Sequence, residues 1–576
     1  MRLRVLAYLG LAVGLTWPAA VHPVSAVPGA PRGDLWDGLW SLWFPWARLA
    51  RGGSLLRADG ILDHPDGGAI WVADPVNALL GMPLVAAFGP AAAWSVLAIA
   101  HVAFAGVAAD LLAGRVLAGA GAHAPARARL LAGVAYASAP VLLAHLHNGA
   151  TEAVGTGWLA LAGWALVGLW EPGGRAWTRV ALAGALLALT TVAHAYAGVC
   201  AFLLAGALLL AGVARGRDAP GRGAGPERTD SPEQPDGAER RAARPRVRLL
   251  LAMGLGLALA AGPATLAWTV TTARDSVVGI KDARETALVR RTIGPADPVA
   301  FVMPGDYRSP DFAQISRYGE QYVHTPYLGL VLLALGFAAL WRDGRRAWPW
   351  VLAATIGALL ACGPVLLRFG APLILARRLA VPLPWFLIEE WPGLRGLTLL
   401  WRLAQLPALC LSVLAALALR DRPRGAWIAL ALVLAEVRWA SPARGLPMHA
   451  DATPSPVLAA LAAAPGGAVM NFPVTGGMAV LWEQTVHGHP LAGSLNFPNN
   501  PAARKVWKVM LAHRGDPPEA FRAAVGEAAR REGIRYLLVH LDPWARPDMH
   551  DDAVRAVKAA VEPIAEADGL RVYPLW

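Results

Sequence analysis

The sequence predicts an α-helical polytopic membrane protein with about eleven transmembrane helices, followed by a small C-terminal α/β domain. Three observations predict this fold class. Of the 576 residues, 56% are hydrophobic and only 16% are charged, whereas soluble proteins carry about a quarter charged residues. The apolar residues form runs of roughly 17–23, and a helix of that length crosses the hydrocarbon core of a bilayer. From about residue 445 the runs stop, and polar and apolar residues mix.

The charge pattern indicates membrane topology. The formal net charge is +12, and the arginines fall in short loops between apolar runs, which is typical of loops on the inner side of a membrane. We therefore interpret the basic balance as a topology signal and expect no nucleic-acid partner. The three cysteines lie inside apolar runs, where we expect small buried side chains.

With the N-terminus inside, hydropathy places the transmembrane helices in order along residues 1–440. They are predicted at 5–21, 91–117, 130–146, 153–170, two within 179–214, then 249–270, 326–341, 347–367, 397–419 and 426–440. Every short inner loop then carries arginine. The first segment could instead be a cleaved signal peptide, because VSA at 24–26 is typical of a cleavage site.

Three hydrophilic segments interrupt this transmembrane domain. Residues 22–90 form a long first outer loop with amphipathic helices, and residues 271–325 form a second outer loop. Residues 216–248 are charged, rich in Pro and Gly, and free of aromatic residues, which predicts a disordered cytoplasmic linker. Residues 445–576 contain two apolar strand-like runs and several amphipathic helices. An odd number of spans places this α/β domain outside.

The first outer loop opens with a tryptophan-rich stretch, DLWDGLWSLWFPW at 34–46. On a helix, Trp36, Trp40 and Trp43 share one face, which predicts a helix lying in the headgroup layer. Asp34 then falls at the N-cap position and Asp37 at the third helical position. Helix capping explains both acids locally. The alternative is that the carboxylates do chemistry at the outer membrane surface.

Other polar residues are predicted at the same outer surface. They are His145, His147, Glu152, His194, Tyr196, Arg290 and Arg291. Ionisable residues at a membrane boundary indicate a functional site. A carboxylate can act as a general base, and cations can offset the charge of a phosphate. The spacing of these residues predicts no metal site, although the aspartates of 59–74 leave a divalent cation open beside the more usual turn role.

Several segments resemble known membrane proteins. The stretch GDLWDGLWSLW with DHPDGGAIWVADPVNALLGMPL at 63–84 is similar to the first outer loop of the GT-C superfamily of polytopic glycosyltransferases, and HNGATE at 147–152 fits the same pattern. In the tail, GGAVMNFPV, LWEQTVHGHPLAG and GIRYLLVHLDP resemble the outer domain of YfhO-like bacterial membrane proteins. The GT-C layout also favours a retained first helix.

The resemblance implies an activity. A GT-C enzyme moves a sugar from a polyprenyl-phosphate donor to a lipid or glycan acceptor of the cell envelope, here on the outer face of the bacterial inner membrane. Such a donor needs no nucleotide site. No cofactor is certain, and a divalent cation stays open. The acidic residue of the first outer loop deprotonates the acceptor in this family, and Asp34 is the matching position, with Asp37 the second candidate. Many members have adjacent acids there, whereas this sequence has D-x-x-D.

Two other classes of function stay open. One is a non-catalytic GT-C-like scaffold that acts through its tail domain. The other is a lipid or solute transporter or flippase, which is expected to carry charges and broken helices at mid-membrane depth. Within the predicted helices the acids are few, namely Asp110 and Glu436, which disfavours proton-coupled transport.

Overall fold

A computed structural model describes residues 1–31, 33–72, 74–119, 125–171, 175–217, 235–278, 283–303, 323–375, 379–391, 393–440, 448–473, 478–495, 500–541 and 551–576. The chain divides into two compact units. Unit 1 comprises Met1–Val21, Val96–Ala264 and Asp282–Met448, and unit 2 comprises His22–Ser95, Thr265–Lys281 and His449–Trp576.

Helices dominate the described residues. In chain order they are α1 (Arg2–Leu15), α2 (Leu35–Ala50), α3 (Pro75–Gly119), α4 (Ala126–Ala137), α5 (Pro140–Asn148), α6 (Thr151–Val154), α7 (Gly157–Gly168), α8 (Ala176–Ala193), α9 (Ala195–Arg217), α10 (Pro235–Thr271), α11 (Ala283–Thr292), α12 (Leu330–Ala361), α13 (Gln405–Ala418), α14 (Pro423–Ala440), α15 (Pro456–Ala463), α16 (Ala479–His487), α17 (Pro501–Ala512), α18 (Pro518–Arg531) and α19 (Asp551–Ala560). Short 3₁₀ helices span Pro298–Phe301, Pro384–Leu387 and Leu400–Ala404.

Strands are few and mostly short. They are β1 (Val27–Pro28), β2 (Leu367–Arg368), β3 (Ala371–Pro372), β4 (Ile374–Leu375), β5 (Leu379–Ala380), β6 (His449–Ala450), β7 (Ala468–Phe472), β8 (Ile534–His540), β9 (Ala565–Ala567) and β10 (Leu570–Pro574).

Six helical segments among the described residues are long and apolar enough to cross a membrane. They are Pro75–Gly119, Ala126–Asn148, Ala176–Ala193, Ala195–Val213, Pro245–Thr271 and Leu400–Ala418. This confirms a multi-pass membrane protein. Helices α1, α7, α12 and α14 occupy the other predicted stretches but are not among the six. The count of eleven spans therefore stays a prediction.

Two kinks separate helices that would otherwise run together. In α3 the break is at Gly89, whose φ of 79° lies in the left-handed region that favours glycine. Pro90 follows it, where a missing N–H costs nothing at the start of a new helical segment. The break falls where the sequence predicts the end of the first outer loop. In α12 the break is at Asp343, inside the predicted inner loop between two spans.

The segment Leu400–Ala418 lies at the centre of unit 1. Every residue of Leu400–Ala418 is buried. In an apolar 18-residue stretch of Ala126–Asn148, 94% of the residues are buried, whereas the share in Pro245–Thr271 is only 22%. The first two segments thus form the centre of unit 1, and α10 lies at its edge. A segment so completely covered by protein has no lipid to face, so any polar group on it must find partners within the unit.

Both acids that the sequence places within spans are held by protein partners. Asp110 accepts from Arg4 Nε at 2.6 Å and Arg129 Nε at 2.5 Å, and Tyr8 donates to it at 3.1 Å. This network includes α1 in the packing of unit 1, and the retention of the first helix stays a prediction. A buried acid with two cationic partners is a structural ion cluster.

Glu436 has an equally local role. It accepts from the Tyr327 hydroxyl at 2.5 Å and from the Leu330 backbone N–H at 2.6 Å. The carboxylate therefore satisfies a backbone donor at the beginning of α12, where helical N–H groups lack intrahelical partners.

Unit 2 contains a four-stranded sheet in the order β7-β8-β10-β9. The β7 and β8 strands are parallel, β10 is antiparallel to β8, and β9 is antiparallel to β10. Apolar residues of α17, α18 and α19 pack on the sheet in one core that includes Val506, Met510, Phe521, Val525 and Val557 with Met470 and Leu537.

The first outer loop packs with the tail inside this same unit. β1 pairs with β6, so that Val27 lies opposite Ala450. Helix α2 packs on α16, and Trp36 stacks on Trp482 with ring centroids 6.1 Å apart. The sequence divides the chain near residue 440, whereas the structure joins residues 22–95 to the tail. Contacts between segments so distant in sequence leave no local pattern to detect.

Two predictions about segments need correction. The three indoles predicted to lie in the headgroup layer are buried by protein, since Trp36 and Trp43 are 8% exposed and Trp40 is 0% exposed. The predicted disordered linker at 216–248 is helical at both ends, because α9 continues to Arg217 and α10 begins at Pro235. The remainder of that linker, 218–234, lies outside the described residues, as does 304–322 of the second outer loop.

Candidate functional site

Four aromatic side chains meet in the interior of unit 1. We call His145, His194, His324 and Trp401 the histidine–tryptophan cluster. The ring centroid of His145 lies 4.9 Å from that of Trp401 and 6.1 Å from that of His194. His324 stacks on Trp401 at 5.1 Å and an interplanar angle of 22°. None of the four is more than 8% exposed.

Helix ends position the two histidines that the sequence predicts. Helix α5 ends at Asn148 and is capped by Gly149, whose φ of 72° and ψ of 18° are left-handed. His145 therefore lies in the last turn of the helix. His194 has extended backbone, with φ −158° and ψ 110°, and separates α8 from α9. The predicted turn near His194 and Tyr196 is thus present.

The cluster holds polar atoms for which the described residues provide no hydrogen-bond partner. These atoms are both ring nitrogens of His145, Nε2 of His194 and Nε1 of Trp401. Buried polar atoms nearly always have a protein or water partner. Their concentration at one place in an apolar bundle indicates a position for water or for a polar ligand.

One cation borders the cluster. Arg402 donates to Glu152 Oε1 at 2.7 Å, and its side chain is only 7% exposed. Its guanidinium also lies 5.6 Å from the ring centroid of Tyr196. The pair joins a predicted site residue, Glu152, to an arginine on the most deeply buried span. Such a pair is electrically neutral but presents several N–H donors.

Tyr196 fixes the backbone that carries Trp401 and Arg402. Its hydroxyl accepts from the backbone N–H groups of Thr398 at 2.9 Å and Leu399 at 2.8 Å. The 3₁₀ helix Leu400–Ala404 follows directly. Tyr196 therefore acts in the structure as a positioning residue, with its hydroxyl oxygen already engaged.

His147 and Asn148 attach α5 to neighbouring segments. The Nδ1 atom of His147 accepts from the backbone N–H of Met448 at 3.2 Å. Asn148 exchanges two hydrogen bonds with Val323, both 2.8 Å long. Because Val323 precedes His324, the Asn148 amide places that imidazole beside Trp401.

The environment keeps His324 neutral. Burial, together with the positive charge of Arg402, lowers the pKa of the His324 imidazole to about 3. At neutral pH the ring has one N–H donor and one acceptor nitrogen. It can therefore bind a hydroxyl group but adds no positive charge for a phosphate.

The two arginines predicted to bind phosphate are already paired. Arg291 lies 2.5 Å from Glu389 Oε1, and Arg290 lies 3.5 Å from Glu389 Oε2 and 3.4 Å from Glu390. Arg290 is only 2% exposed. The structure thus brings these arginines together with the Glu389–Glu390 pair, and none of the distances joins them to the histidine–tryptophan cluster.

Unit 2 carries the two predicted acids. Asp34 occupies the N-cap position of α2, but its side chain makes no capping hydrogen bond, and Asp37 lies in the first turn. Both side chains are partly exposed. Helix capping therefore does not explain Asp34, although Asp37 still favours the positive end of the helix dipole.

Two of the aspartates of 59–74, Asp59 and Asp74, have structural partners. Asp59 binds Arg57 at 2.7 Å and accepts from the backbone N–H of Gly68, and Asp74 accepts from the N–H of Asn77 at the beginning of α3. Across the part of the chain that the structure describes, no group of three His, Cys, Asp or Glu side chains could hold a metal ion.

Three residues of the site were missed from the sequence: Trp401, Arg402 and His324. Arg402 could have been predicted from the sequence. It lies inside the apolar run LLWRLAQLPALC, and charged residues within membrane spans are typically functional. Trp401 and His324 had no comparable signal. They reach the cluster through the Tyr196 and Asn148 contacts, which join residues far apart in sequence.

Solved structures supply the fold comparison. An arabinofuranosyltransferase from mycobacteria, AftD, matches with a TM-score of 0.52 and 17% identity over 100% of this chain and 42% of that chain. The oligosaccharyltransferase AglB from Archaeoglobus fulgidus, in complex with an inhibitory peptide and a dolichol-phosphate, matches with a TM-score of 0.47 and 13% identity over 94% and 69%. ArnT from Cupriavidus metallidurans, bound to undecaprenyl phosphate, matches with a TM-score of 0.42 and 13% identity over 99% and 98%.

Comparison of the amino-acid sequence alone finds no relative of the chain. No protein-family model matches the chain, and no curated protein sequence matches it. The likeness to AftD shows the fold, so the chain has the GT-C fold that the sequence motifs predict. The resemblance to YfhO-like proteins stays a prediction.

Proposed function

We propose that the protein is a membrane glycosyltransferase. It takes a sugar from a polyprenyl-phosphate donor and transfers it to a lipid or glycan acceptor of the cell envelope, on the outer face of the bacterial inner membrane. The observation that carries the proposal is the buried histidine–tryptophan cluster beside Arg402. In it, ring nitrogens of His145 and His194 and the indole nitrogen of Trp401 have no hydrogen-bond partner among the described residues. The GT-C fold supports the reaction class.

The donor head group suits the chemistry of this cluster. Sugar rings stack on aromatic faces and exchange hydrogen bonds with imidazole and indole N–H groups, which the four rings provide. Arg402 contributes N–H donors for a phosphate oxygen. Because Glu152 already holds this guanidinium, the carboxylate orients it. Tyr196 positions the backbone on which Trp401 and Arg402 lie.

The transfer step needs a base and a stabilised leaving group. An acceptor hydroxyl oxygen attacks the anomeric carbon of the donor sugar. A new bond forms between them as the bond from that carbon to the phosphate oxygen breaks. The proton of the hydroxyl passes to the Asp34 carboxylate, and polyprenyl phosphate leaves with the electron pair. Asp34 fits the base role because its carboxylate is partly exposed.

The contacts of Asp110 and Glu436, the two acids within the predicted spans, favour this function over proton-coupled transport. Asp110 is held by two arginines, and Glu436 binds a tyrosine hydroxyl and backbone N–H groups. A proton-coupled transporter needs acids that exchange protons along a pathway. Acids with this many partners are poorly suited to that exchange.

The test is sugar transfer by the full-length protein in liposomes. A panel of polyprenyl-phosphate sugars is supplied with envelope lipids, and release of polyprenyl phosphate is measured by mass spectrometry. We expect turnover of one donor, and a loss of about 100- to 10,000-fold in Asp34→Asn, which is the range for removing a general base. Asp37→Asn should lose less activity.

Asp516→Asn is the matched control, because Asp516 is also in unit 2 and pairs with exposed His513. Its activity should equal that of the wild type. Full activity in Asp34→Asn would remove Asp34 from the reaction. A folded wild-type protein that turns over no donor in the panel would support the non-catalytic scaffold instead.

A further inference from the structure

A cavity of about 500 Å³ lies inside unit 1, away from the residues of the proposed transfer site. We call it the inner cavity, because it is lined by the ends of helices that the sequence places on the inner side. Its apolar walls include Val116, Val167, Leu208, Pro349 and Trp350. Its volume is within the range of about 300–1,000 Å³ typical of small-molecule sites.

Charged residues complete the lining. Arg115, Glu171 and Arg346 line the cavity with the apolar residues. Arg115 lies 2.8 Å from Glu171, and Arg179 lies 3.6 Å from the same carboxylate. The guanidinium of Arg115 also stacks 4.0 Å from the ring centroid of Trp164, which orients it firmly.

Positive charge exceeds negative charge at this place. Arg346 lies 3.2 Å from Asp343, and Arg420 binds the same carboxylate at 2.5 Å. Arg420 also lies 3.2 Å from Asp421. The charged residues of the lining itself are two arginines and one carboxylate, Glu171. This excess of positive charge in the lining favours an anion, because a cleft lined with one sign of charge attracts ions of the opposite sign.

A further arginine reaches the wall of the cavity from α10. Arg246 donates to the backbone carbonyl of Gly212, a lining residue, at 2.6 Å. Its Nε atom is buried and has no hydrogen-bond partner among the described residues. A phosphate oxygen is the kind of acceptor that such a donor lacks.

The cavity lies near the ends of the helices, which places it at the depth of the lipid head groups. Its lining includes residues near the end of one span, Arg115, Val116, Ala118 and Gly119, and near the end of another, Leu208, Ala211 and Gly212. Trp177, in the first turn of α8, is 74% exposed, and Trp341, before the break in α12, is 83% exposed. Exposed tryptophans at the ends of spans mark the membrane interface.

We propose that the inner cavity binds the head group of an anionic phospholipid. The phosphate lies among Arg115, Arg346 and Arg246, and the glycerol and first methylenes contact the apolar walls. Basic pockets between transmembrane helices on the cytoplasmic side are suited to such head groups. The combination of charged and apolar lining favours a lipid over a free phosphate, which would leave the apolar walls unfilled.

The test is native mass spectrometry of the full-length protein released from nanodiscs. The nanodiscs contain equal amounts of phosphatidylglycerol and phosphatidylethanolamine. We expect preferential retention of phosphatidylglycerol, and about a fivefold loss of that retention in Arg346→Gln, since one arginine near the surface contributes about 1 kcal/mol to anionic lipid binding. Arg115→Gln should give a similar loss, and a hundredfold excess of inorganic phosphate should not displace the lipid.

Arg422→Gln is the matched control, because Arg422 is exposed on a loop of the same predicted side and does not line the cavity. It should retain phosphatidylglycerol like the wild type. Equal retention of both lipids, or wild-type retention in Arg346→Gln and Arg115→Gln, would overturn the proposal. Displacement by inorganic phosphate would assign the cavity to a free anion, and preferential retention of added undecaprenyl phosphate would assign it to a polyprenyl lipid.

Discussion

The hydrogen bond between Trp40 and Gln484 tests whether the first outer loop and the tail fold as one unit. The indole Nε1 donates to Gln484 Oε1 at 2.7 Å across 444 residues of sequence. The Gln484 amide also donates to the carbonyls of Ile61 at 2.6 Å and His489 at 3.1 Å. Both side chains are buried, with Trp40 0% and Gln484 1% exposed. The perturbations are Gln484→Leu, Trp40→Phe and the double variant.

The magnitude follows from the groups left without partners. Gln484→Leu leaves the Trp40 N–H without an acceptor and removes a hydrogen bond to the His489 carbonyl. The Ile61 carbonyl keeps its hydrogen bond from the backbone N–H of Leu491. A buried donor or acceptor left without a partner costs about 1–3 kcal/mol. We therefore expect Gln484→Leu to lower the free energy of unfolding by about 2–4 kcal/mol. Trp40→Phe leaves one amide oxygen unpaired and should cost about 1–3 kcal/mol. The double variant should fall short of the sum by about 1–3 kcal/mol, because the same bond is lost only once.

The assay is pulse proteolysis of the full-length protein in mild detergent along a urea titration, read on a C-terminal tag. Trp46→Phe is the matched control, because Trp46 lies on the same helix but is 39% exposed, and it should change the free energy of unfolding by less than about 0.5 kcal/mol. Strict additivity of the two single variants would refute the reasoning. So would a tail domain whose unfolding is unaffected by Trp40→Phe.

Three further predictions concern the charges and hydrogen bonds of each unit. Arg402→Gln should destabilise the protein by about 3 kcal/mol, because it leaves Glu152 unpaired, and adding Glu152→Gln should restore much of the thermal stability; no restoration would contradict the pairing. Tyr196→Phe leaves two backbone N–H groups without an acceptor and should lower the free energy of unfolding by about 2 kcal/mol or more. Thermal unfolding measures this loss, and sugar-transfer activity should fall in parallel. Burial raises the pKa of the Glu483 carboxyl to about 8, so the folded state holds a proton that the unfolded state releases. Stability of unit 2 should therefore fall as pH rises from about 6.5 to 8, by up to about 2 kcal/mol; burial lowers the pKa of His487 to about 3, which acts only below that window. Glu483→Gln should remove the slope, and an unchanged slope would contradict the assignment.

The sequence predicts the helices of this fold well because their signal is local. Apolar runs, the break at Gly89 and the turn at His194 all follow from composition and backbone preference within a few residues. The assignment of residues 22–95 to the tail unit does not, because it depends on contacts such as β1 with β6 and Trp40 with Gln484. Indoles spaced along one helical face fit a membrane surface and a protein interface equally well.

The candidate site was predictable only in part. His145, His194 and Glu152 were identified as polar residues at helix ends, and the structure places each of them in or beside the cluster. Arg290 and Arg291 were identified by charge alone, which gives no information on the glutamates that pair with them. Their role in phosphate binding, like that of Asp34 as a base, stays a prediction.

The most direct test of the central claim is the lipid that accompanies the purified protein. The wild type and Asp34→Asn are purified in mild detergent, and their extracted lipids are analysed by mass spectrometry. Glycosyl transfer from a lipid donor predicts a polyprenyl-phosphate sugar in the extract, enriched in Asp34→Asn because the donor binds but its sugar is not transferred. Only bulk phospholipid in both extracts would contradict the claim and return Asp34 to a structural role.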